Sequence, residues 1–357
     1  MLYGIIMAGG SGTRFWPESR KEKPKQLLRI VSDKTMVRAT AERILPEISF
    51  DRIMIVTTEA YAEAIKRELP EVSHTMIVAE PQGRNTAPCI ALAAYKIAKQ
   101  DPDAVLVILP ADHLIANEEA FLKVLRTAYQ VASSNEYLIT FGIVPACPET
   151  GYGYIELGRE IPEIRSERLF HVKSFVEKPD LMTAKRYLAE GNYLWNSGMF
   201  VWKASTIIRS FEEHLPSISR AMESILPMLN TSQEPEAIRE TYETIESISI
   251  DYGIMEKSKN AIVIRADIAW NDVGSWSSLA DVWDTDNENN ACRGKVLCVQ
   301  SNECVALSPH KVAVLLGVED LVIVDTPDAI LVCSKTSCQD IKTLQELLVQ
   351  HGYKDLL

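Results

Sequence analysis

At 357 residues the chain exceeds the length that one hydrophobic core usually serves, so a large domain with a smaller companion is expected. With 46% hydrophobic residues it can bury a substantial core, and a formal net charge of −12 excludes nucleic acid and membrane surfaces as natural partners, since both are polyanions that would repel it. A small anionic ligand stays compatible if positive charge is gathered locally.

The N-terminal MLYGIIMAGG enters a strand-like run directly, with no basic n-region and no long apolar h-region. No stretch of about 18 apolar residues follows anywhere, so a cytoplasmic protein without a membrane span is expected. Through the first half, short β-branched runs (LYGIIMA, RIMIVT, TMIVA, AVLVIL) alternate with helical patterns over 35–45, 59–69 and 88–99. Apolar strands separated by amphipathic helices indicate a parallel sheet covered on both faces, an α/β doubly wound architecture. Asn117 is placed to cap a helix opening with Glu118 and Glu119, whose apolar face holds Phe121, Val124, Leu125 and Ala128.

From Gly151 onward the alternation gives way to strand-like pieces (GYGYIEL, FHVKSFVEK, GMFVWK) and a helical stretch over 204–246. After Asn290 come closely spaced short strands (GKVLCVQ, CVALS, KVAVLLG, LVIVDT, AILVCS) and a helical pattern over 338–351, the texture of a separate small β domain. Cys292, Cys298 and Cys304 recur every six residues there, a weak sign of coiled parallel strands. The seven cysteines show no CxxC pair and no histidine to complete a zinc set, and read as reduced thiols, with a regulatory disulfide near the C-terminus as the alternative.

Directly after the first strand stands Gly9-Gly10-Ser11-Gly12-Thr13-Arg14, followed by Arg20, Lys21, Lys23 and Lys25. Glycines let backbone N–H groups approach a phosphate chain, and Arg14 and Lys25 can neutralise its charge. It is neither a P-loop, which needs Lys directly after its last Gly, nor a dinucleotide fingerprint, which needs a small residue where Phe15 stands. By itself such a turn is as often structural as functional, but five cations between 14 and 25 in an acidic chain favour phosphate binding.

The segment GGSGTRFWPESRKEKPKQ (9–26) resembles the signature of the nucleoside-diphosphate-sugar pyrophosphorylases, in the form used by mannose-1-phosphate guanylyltransferases. EPQGRNTAPCIALAA (80–94), LPADH (109–113), GYGYI (151–155), VEKPD (176–180), YLWNSGMF (193–200), SIDYGIMEK (249–257) and WNDVGSW (270–276) match in the family's order. The resemblance implies a Rossmann-like catalytic domain over 1–286 and a small left-handed β-helical domain over 287–357. It also implies a reaction, in which GTP and mannose-1-phosphate give GDP-mannose and pyrophosphate.

Asp112 follows the strand AVLVIL, so its carboxylate should emerge at the strand's carboxyl end, where ligands sit in open α/β sheets. The resemblance adds Asp272 as a second carboxylate, and two Asp oxygens with triphosphate oxygens and water suit Mg²⁺. A turn or helix cap is the other reading of such an Asp. His113, beside it, reads as an orienter of the Asp112 loop or a packed residue rather than a base.

By the same resemblance Ala8, Gly9, Gly10, Gly12 and Thr13 cradle the nucleotide. Glu80 would accept hydrogen bonds from guanine N1–H and N2–H₂, or else be an exposed loop carboxylate, and Arg84, Asn85 and Thr86 would position the loop, ribose or phosphates. Gly153, Glu177 and Asn196 fall around the sugar, with Lys178 near its phosphate. Arg14, Lys25, Asp112, Lys178 and Asp272 are thus the expected catalytic set. A homodimer is compatible with this reading. Rival readings are a pyrophosphorylase for another nucleotide and sugar, or a regulatory binder without chemistry.

Overall fold

Four of the apolar runs become neighbouring parallel strands because each is buried on both faces and can only be covered by helices above and below. The computed structural model describes residues 1–10, 12–165 and 167–357, without the side chains of Glu163 and Lys342. Contacts divide the chain into two units.

The first unit comprises Met1–Gly9, Thr40–Ala111 and Ile115–Trp270. Its sheet runs in the spatial order Ile77–Glu80, Ile53–Thr58, Leu2–Ala8, Val105–Pro110, Tyr193–Lys203, Leu138–Ile143, Ala261–Ala266, Glu167–Glu177, Gly153–Ile164. The first four are mutually parallel, as are Leu138–Ile143 and Ala261–Ala266. Strand Tyr193–Lys203 runs antiparallel between the two groups, and Gly153–Ile164 and Glu167–Glu177 form an antiparallel pair, so the sheet is mixed where the sequence alternation ends. Helix Thr86–Ala98 is buried all round, as its alanine-rich, charge-poor sequence requires, and shares one core with Phe200, Trp202, Ile207, Phe211, Ile218 and Tyr242. Asn117 caps its helix as expected, its Oδ1 accepting from the Ala120 N–H at 3.1 Å. The stretch over 204–246 resolves into three helices, Ala204–His214, Pro216–Ile225 and Glu234–Thr244.

Gly10–Ala39, Asp112–Leu114 and Asn271–Leu357 make the second unit. Strands Ala291–Val299, Val305–Leu316 and Leu321–Asp325 pair in parallel, and Ile330–Ser334 closes the sheet antiparallel. Their inward residues Val305, Val322, Val324 and Leu331 pack with Phe15, Trp16, Leu28, Val273, Trp276 and Trp283, so the glycine loop and the WNDVGSW segment share a core with the C-terminal strands. Among the described residues no helix is long and apolar enough to cross a membrane.

Candidate functional site

In the second unit, the glycine loop turns at Gly12, whose φ of 60° lies in the left-handed region, and a short 3₁₀ turn, Thr13–Phe15, follows. A Cβ on Gly12 would overlap the Lys25 side chain and come within 2.8 Å of the Lys25 main-chain nitrogen. Only glycine meets both demands. Gly12→Ala should therefore lower thermal stability by about 1–3 kcal/mol and turnover by at least about tenfold, through the shifted Lys25. A thermal melt and steady-state rates check this, and a variant unchanged in both would contradict it. Ser11 lies outside the described residues. Arg14 is exposed on the same turn.

Lys25 is buried, and its ammonium is the hub of this unit's cluster: Nζ donates to Asp112 Oδ2 at 2.9 Å and to the Asp272 carbonyl oxygen at 2.8 Å, and lies 5.6 Å from the Phe15 ring centroid. Two of its three donors are thereby used. Partial burial opposes ionisation of Asp112, but the charge of Lys25, aided by His113 and the Lys25 hydrogen bond, outweighs it and holds the carboxyl below the usual carboxylate range. It is a carboxylate at neutral pH.

Asp272 stands in a turn with little freedom. Val273, a β-branched residue, adopts a φ of 49°, and its N–H donates to Asn271 Oδ1 at 2.7 Å, while Ser275 caps the next 3₁₀ turn with a reciprocal Ser275–Ser278 box. Phe15 meets Trp276 edge-on at 5.1 Å, and Trp276 Nε1 donates to the Trp16 carbonyl at 2.9 Å, tying the glycine loop to this turn. The C-terminal segment braces it further, because Trp16 Nε1 donates to the Leu356 carbonyl at 2.8 Å and Arg20 binds the same oxygen and Asp328.

In the first unit, Ala8, Gly9 and Glu80 meet at the carboxyl ends of the parallel strands. Thr57 Oγ1 donates to the Ala8 carbonyl at 2.8 Å. Glu80 ends its strand as a buried residue, 3% exposed, not as an exposed loop carboxylate. The Tyr242 hydroxyl donates to its Oε1 at 2.8 Å, and its Oε2 faces Gly9, where a Cβ would sit 3.6 Å away. Burial pushes the Glu80 carboxyl up to about 7 against the Tyr242 bond.

Arg84 and Thr86 are engaged with main chain. The Arg84 guanidinium donates to the carbonyls of Tyr242 and Glu243 at the carboxyl end of a helix, and Thr86 Oγ1 accepts the Ile250 N–H at 2.9 Å. Asn85, at a φ of 66°, caps helix Thr86–Ala98 by accepting the Thr86 N–H at 2.9 Å. These three fix the loop.

A second group in this unit gathers the expected sugar residues. Gly153 pairs in register with Glu177, and Asn196 stands on the strand beside them. Lys178 leaves its strand at a φ of 50°, so the exit before Pro179 is left-handed rather than the extended form usual before proline, and its ammonium pairs with Glu177 Oε1. Asn196 Nδ2 donates at 2.9 Å to Asp251, a residue the motif reading quoted within SIDYGIMEK and gave no role. Tyr242, the partner of Glu80, lay inside an amphipathic helical pattern and carried no functional signal. Trp202 is fully buried, while Trp195 and Trp270 pack edge-on against Tyr152.

Residues 3–289 match the profile of the nucleotidyl transferase family. The chain belongs to that family. Residues 294–348 match a second profile, the mannose-phosphate isomerase/GMP-like β-helix domain. Over 359 residues, 98% of this chain and 74% of the relative, it is 38% identical to a mannose-1-phosphate guanylyltransferase of Escherichia coli K12. A mannose-1-phosphate guanylyltransferase of Salmonella typhimurium, also matched over 98% of this chain and 74% of its own length, is 39% identical. The crystal structure described as a mannose-1-phosphate geranyltransferase from Thermus thermophilus superposes with a TM-score of 0.88 at 33% identity, covering 97% of this chain and 99% of the other. The nucleotidyl transferase region thus contains the glycine loop, Lys25, Asp112 and Asp272, and all the residues of the Glu80 and Asn196 groups.

Proposed function

We propose that this member of the family transfers GMP from GTP to α-D-mannose-1-phosphate, giving GDP-mannose and pyrophosphate. The observation that carries it is the cluster of Lys25, Asp112 and Asp272 beneath a glycine turn, in a chain matched along nearly its whole length by mannose-1-phosphate guanylyltransferases. A buried cation held between the Asp112 carboxylate and the Asp272 main-chain oxygen supports chemistry over a regulatory binder without it.

The donor set fits a divalent ion of the Mg²⁺ type. Asp112 Oδ2 and the Asp272 main-chain oxygen both meet Lys25 Nζ, which brings two residues with hard oxygen donors together, the chemistry of an ion held by one or two carboxylates and completed by substrate oxygens and water. Asp112 and Asp272 are the residues that would hold it. Bound there, Mg²⁺ would neutralise charge building on the phosphates.

The protein's own part is binding and alignment. In the forward direction an oxygen of mannose-1-phosphate forms a bond to the α-phosphorus of GTP while the bond to the bridging oxygen breaks and pyrophosphate leaves. That attacking oxygen needs no side-chain base, because a phosphate monoester has lost most of its second proton by neutral pH, its pKa being about 6. The work lies in offsetting repulsion between anions. The third N–H of Lys25 and the exposed Arg14 would serve the leaving pyrophosphate, and Lys178 the incoming phosphate. Glu80 would read guanine, and Gly153, Glu177 and Asn196 the hexose.

Pyrophosphate release, measured for each NTP with each common hexose-1-phosphate in the presence of Mg²⁺, tests the assignment. GTP with mannose-1-phosphate should show the highest kcat/KM. A higher value for UTP or dTTP with glucose-1-phosphate would move the chain to another substrate pair.

A further inference from the structure

Asp251 opens a π-helical turn, Asp251–Met255, a wide backbone form that recurs at functional positions. Its Oδ1 accepts the Asn196 Nδ2 donor at 2.9 Å, while Asn196 Oδ1 accepts from Thr140 Oγ1 at 3.1 Å and from the Gly198 N–H at 3.2 Å. The orientation of the Asn196 amide is therefore fixed, with one N–H on Asp251 and the other left to offer.

Glu177 completes the arrangement. Its side chain is 10% exposed, Oε1 pairs with Lys178, and Oε2 is buried with no hydrogen-bond partner among the described residues. A Cβ at position 153 would run into that Oε2 and approach Asn196 Cβ to 3.3 Å, so the glycine keeps open the space these groups share. A buried carboxylate oxygen without a donor is destabilising unless a ligand supplies one, and more so when the group is charged. An aspartate that merely caps its own turn would leave Glu177 Oε2 unexplained.

Resting on the sugar reading of Gly153, Glu177 and Asn196, we propose that Asp251 contacts the substrate: its carboxyl accepts a hydrogen bond from a ring hydroxyl of the hexose phosphate beside Glu177, and so selects which hexose is accepted. Burial, and then the charge of Glu177, push the Asp251 carboxyl up to about 7 against its own main-chain N–H, Asn196 and Lys178. Neighbouring carboxyls strained in this way are relieved by hydroxyls, which can donate to an ionised acid and accept from a protonated one.

The test compares wild type, Asp251→Asn and Asp251→Ala with the hexose 1-phosphate that the wild type uses best and with its 2-, 3- and 4-deoxy forms. Asp251→Ala should raise KM for the hexose phosphate at least about tenfold while KM for the nucleotide stays within about twofold. One deoxy form should be penalised at least about tenfold by the wild type and no more than about threefold by the variant, with the other penalties intact. Asp251→Asn, which keeps an acceptor for Asn196, should fall between the two and melt like the wild type. Equal deoxy penalties in wild type and variants overturn the assignment, as does a loss shared equally by nucleotide and hexose. If the best hexose is not mannose, the substrate proposal above fails and the Asp251 comparison proceeds on the hexose that is used. Should turnover be absent, calorimetric binding of the same series reads the same differences, and failure to bind any hexose phosphate overturns both readings.

Discussion

Asp112→Asn should lower kcat by at least about a hundredfold, roughly 2.7 kcal/mol of barrier, and Asp272→Asn by a similar factor. The substitution preserves size and removes charge, which isolates electrostatics from packing. Asp112 has two duties in the structure. It neutralises the buried ammonium of Lys25 at 2.9 Å, and it presents a second oxygen of a carboxylate held in its ionised form. An asparagine could still accept from Lys25 but would leave that cation without its counter-charge, so a loss of stability is expected as well. Since Asp112 is 37% exposed, solvent screens part of that loss, which should stay below the 3–5 kcal/mol typical of a broken buried pair. Asp272 meets Lys25 through its main-chain oxygen, so Asp272→Asn keeps that hydrogen bond, removes the carboxylate charge and should lose activity. Rates at saturating Mg²⁺, taken well below the midpoint of each variant, separate the two contributions. Near-normal turnover in a folded variant would remove that aspartate from the reacting centre.

How much of this was legible in the sequence depends on how local each signal is. The parallel strands could be read because a strand buried on both faces must be almost wholly apolar, and Val105–Pro110 delivers Asp112 from its carboxyl end as that reading required. Lys25 could be nominated from clustered charge, but not its partners, which stand 87 and 247 positions away. The grouping of residues 10–39 with the C-terminal strands was likewise invisible, because it rests on Phe15 with Trp276 and on Trp283 Nε1 donating to the Ile30 carbonyl at 2.7 Å. No local pattern encodes such pairs. Asp251 and Tyr242 show the same limit: one sat in a quoted motif, the other on a helix face that reads as core, and only packing made one the neighbour of Asn196 and the other the donor to Glu80.

Replacing Glu80 by glutamine should weaken the preference for guanine and, above pH 7, stabilise the fold. Guanine offers N1–H and N2–H₂ side by side, and a carboxylate can accept both, whereas a glutamine amide has one acceptor and turns an N–H toward the second donor. The Tyr242 hydroxyl occupies Oε1, and the absent side chain of Gly9 leaves Oε2 open to approach. The kcat/KM ratio of GTP to ITP, which lacks the 2-amino group, cancels titration of the triphosphate and isolates this contact. Wild type should favour GTP at least about tenfold, in keeping with one good hydrogen bond to a charged group, and Glu80→Gln should bring the ratio near one. Because burial raises the Glu80 carboxyl to about 7, the wild-type ratio should also fall as pH drops below 7, and the variant should show no such limb. For stability the sign is opposite. A raised carboxyl keeps its proton in the folded chain after the unfolded chain has released it near 4.5, so folding is favoured at low pH. That advantage is lost as pH rises through about 7, at a cost approaching roughly 3 kcal/mol. Glutamine is neutral throughout. Urea unfolding should therefore find Glu80→Gln close to wild type at pH 5 and more stable at pH 8, whereas a variant less stable at pH 8 with its GTP preference intact would make Glu80 a structural partner of Tyr242 alone.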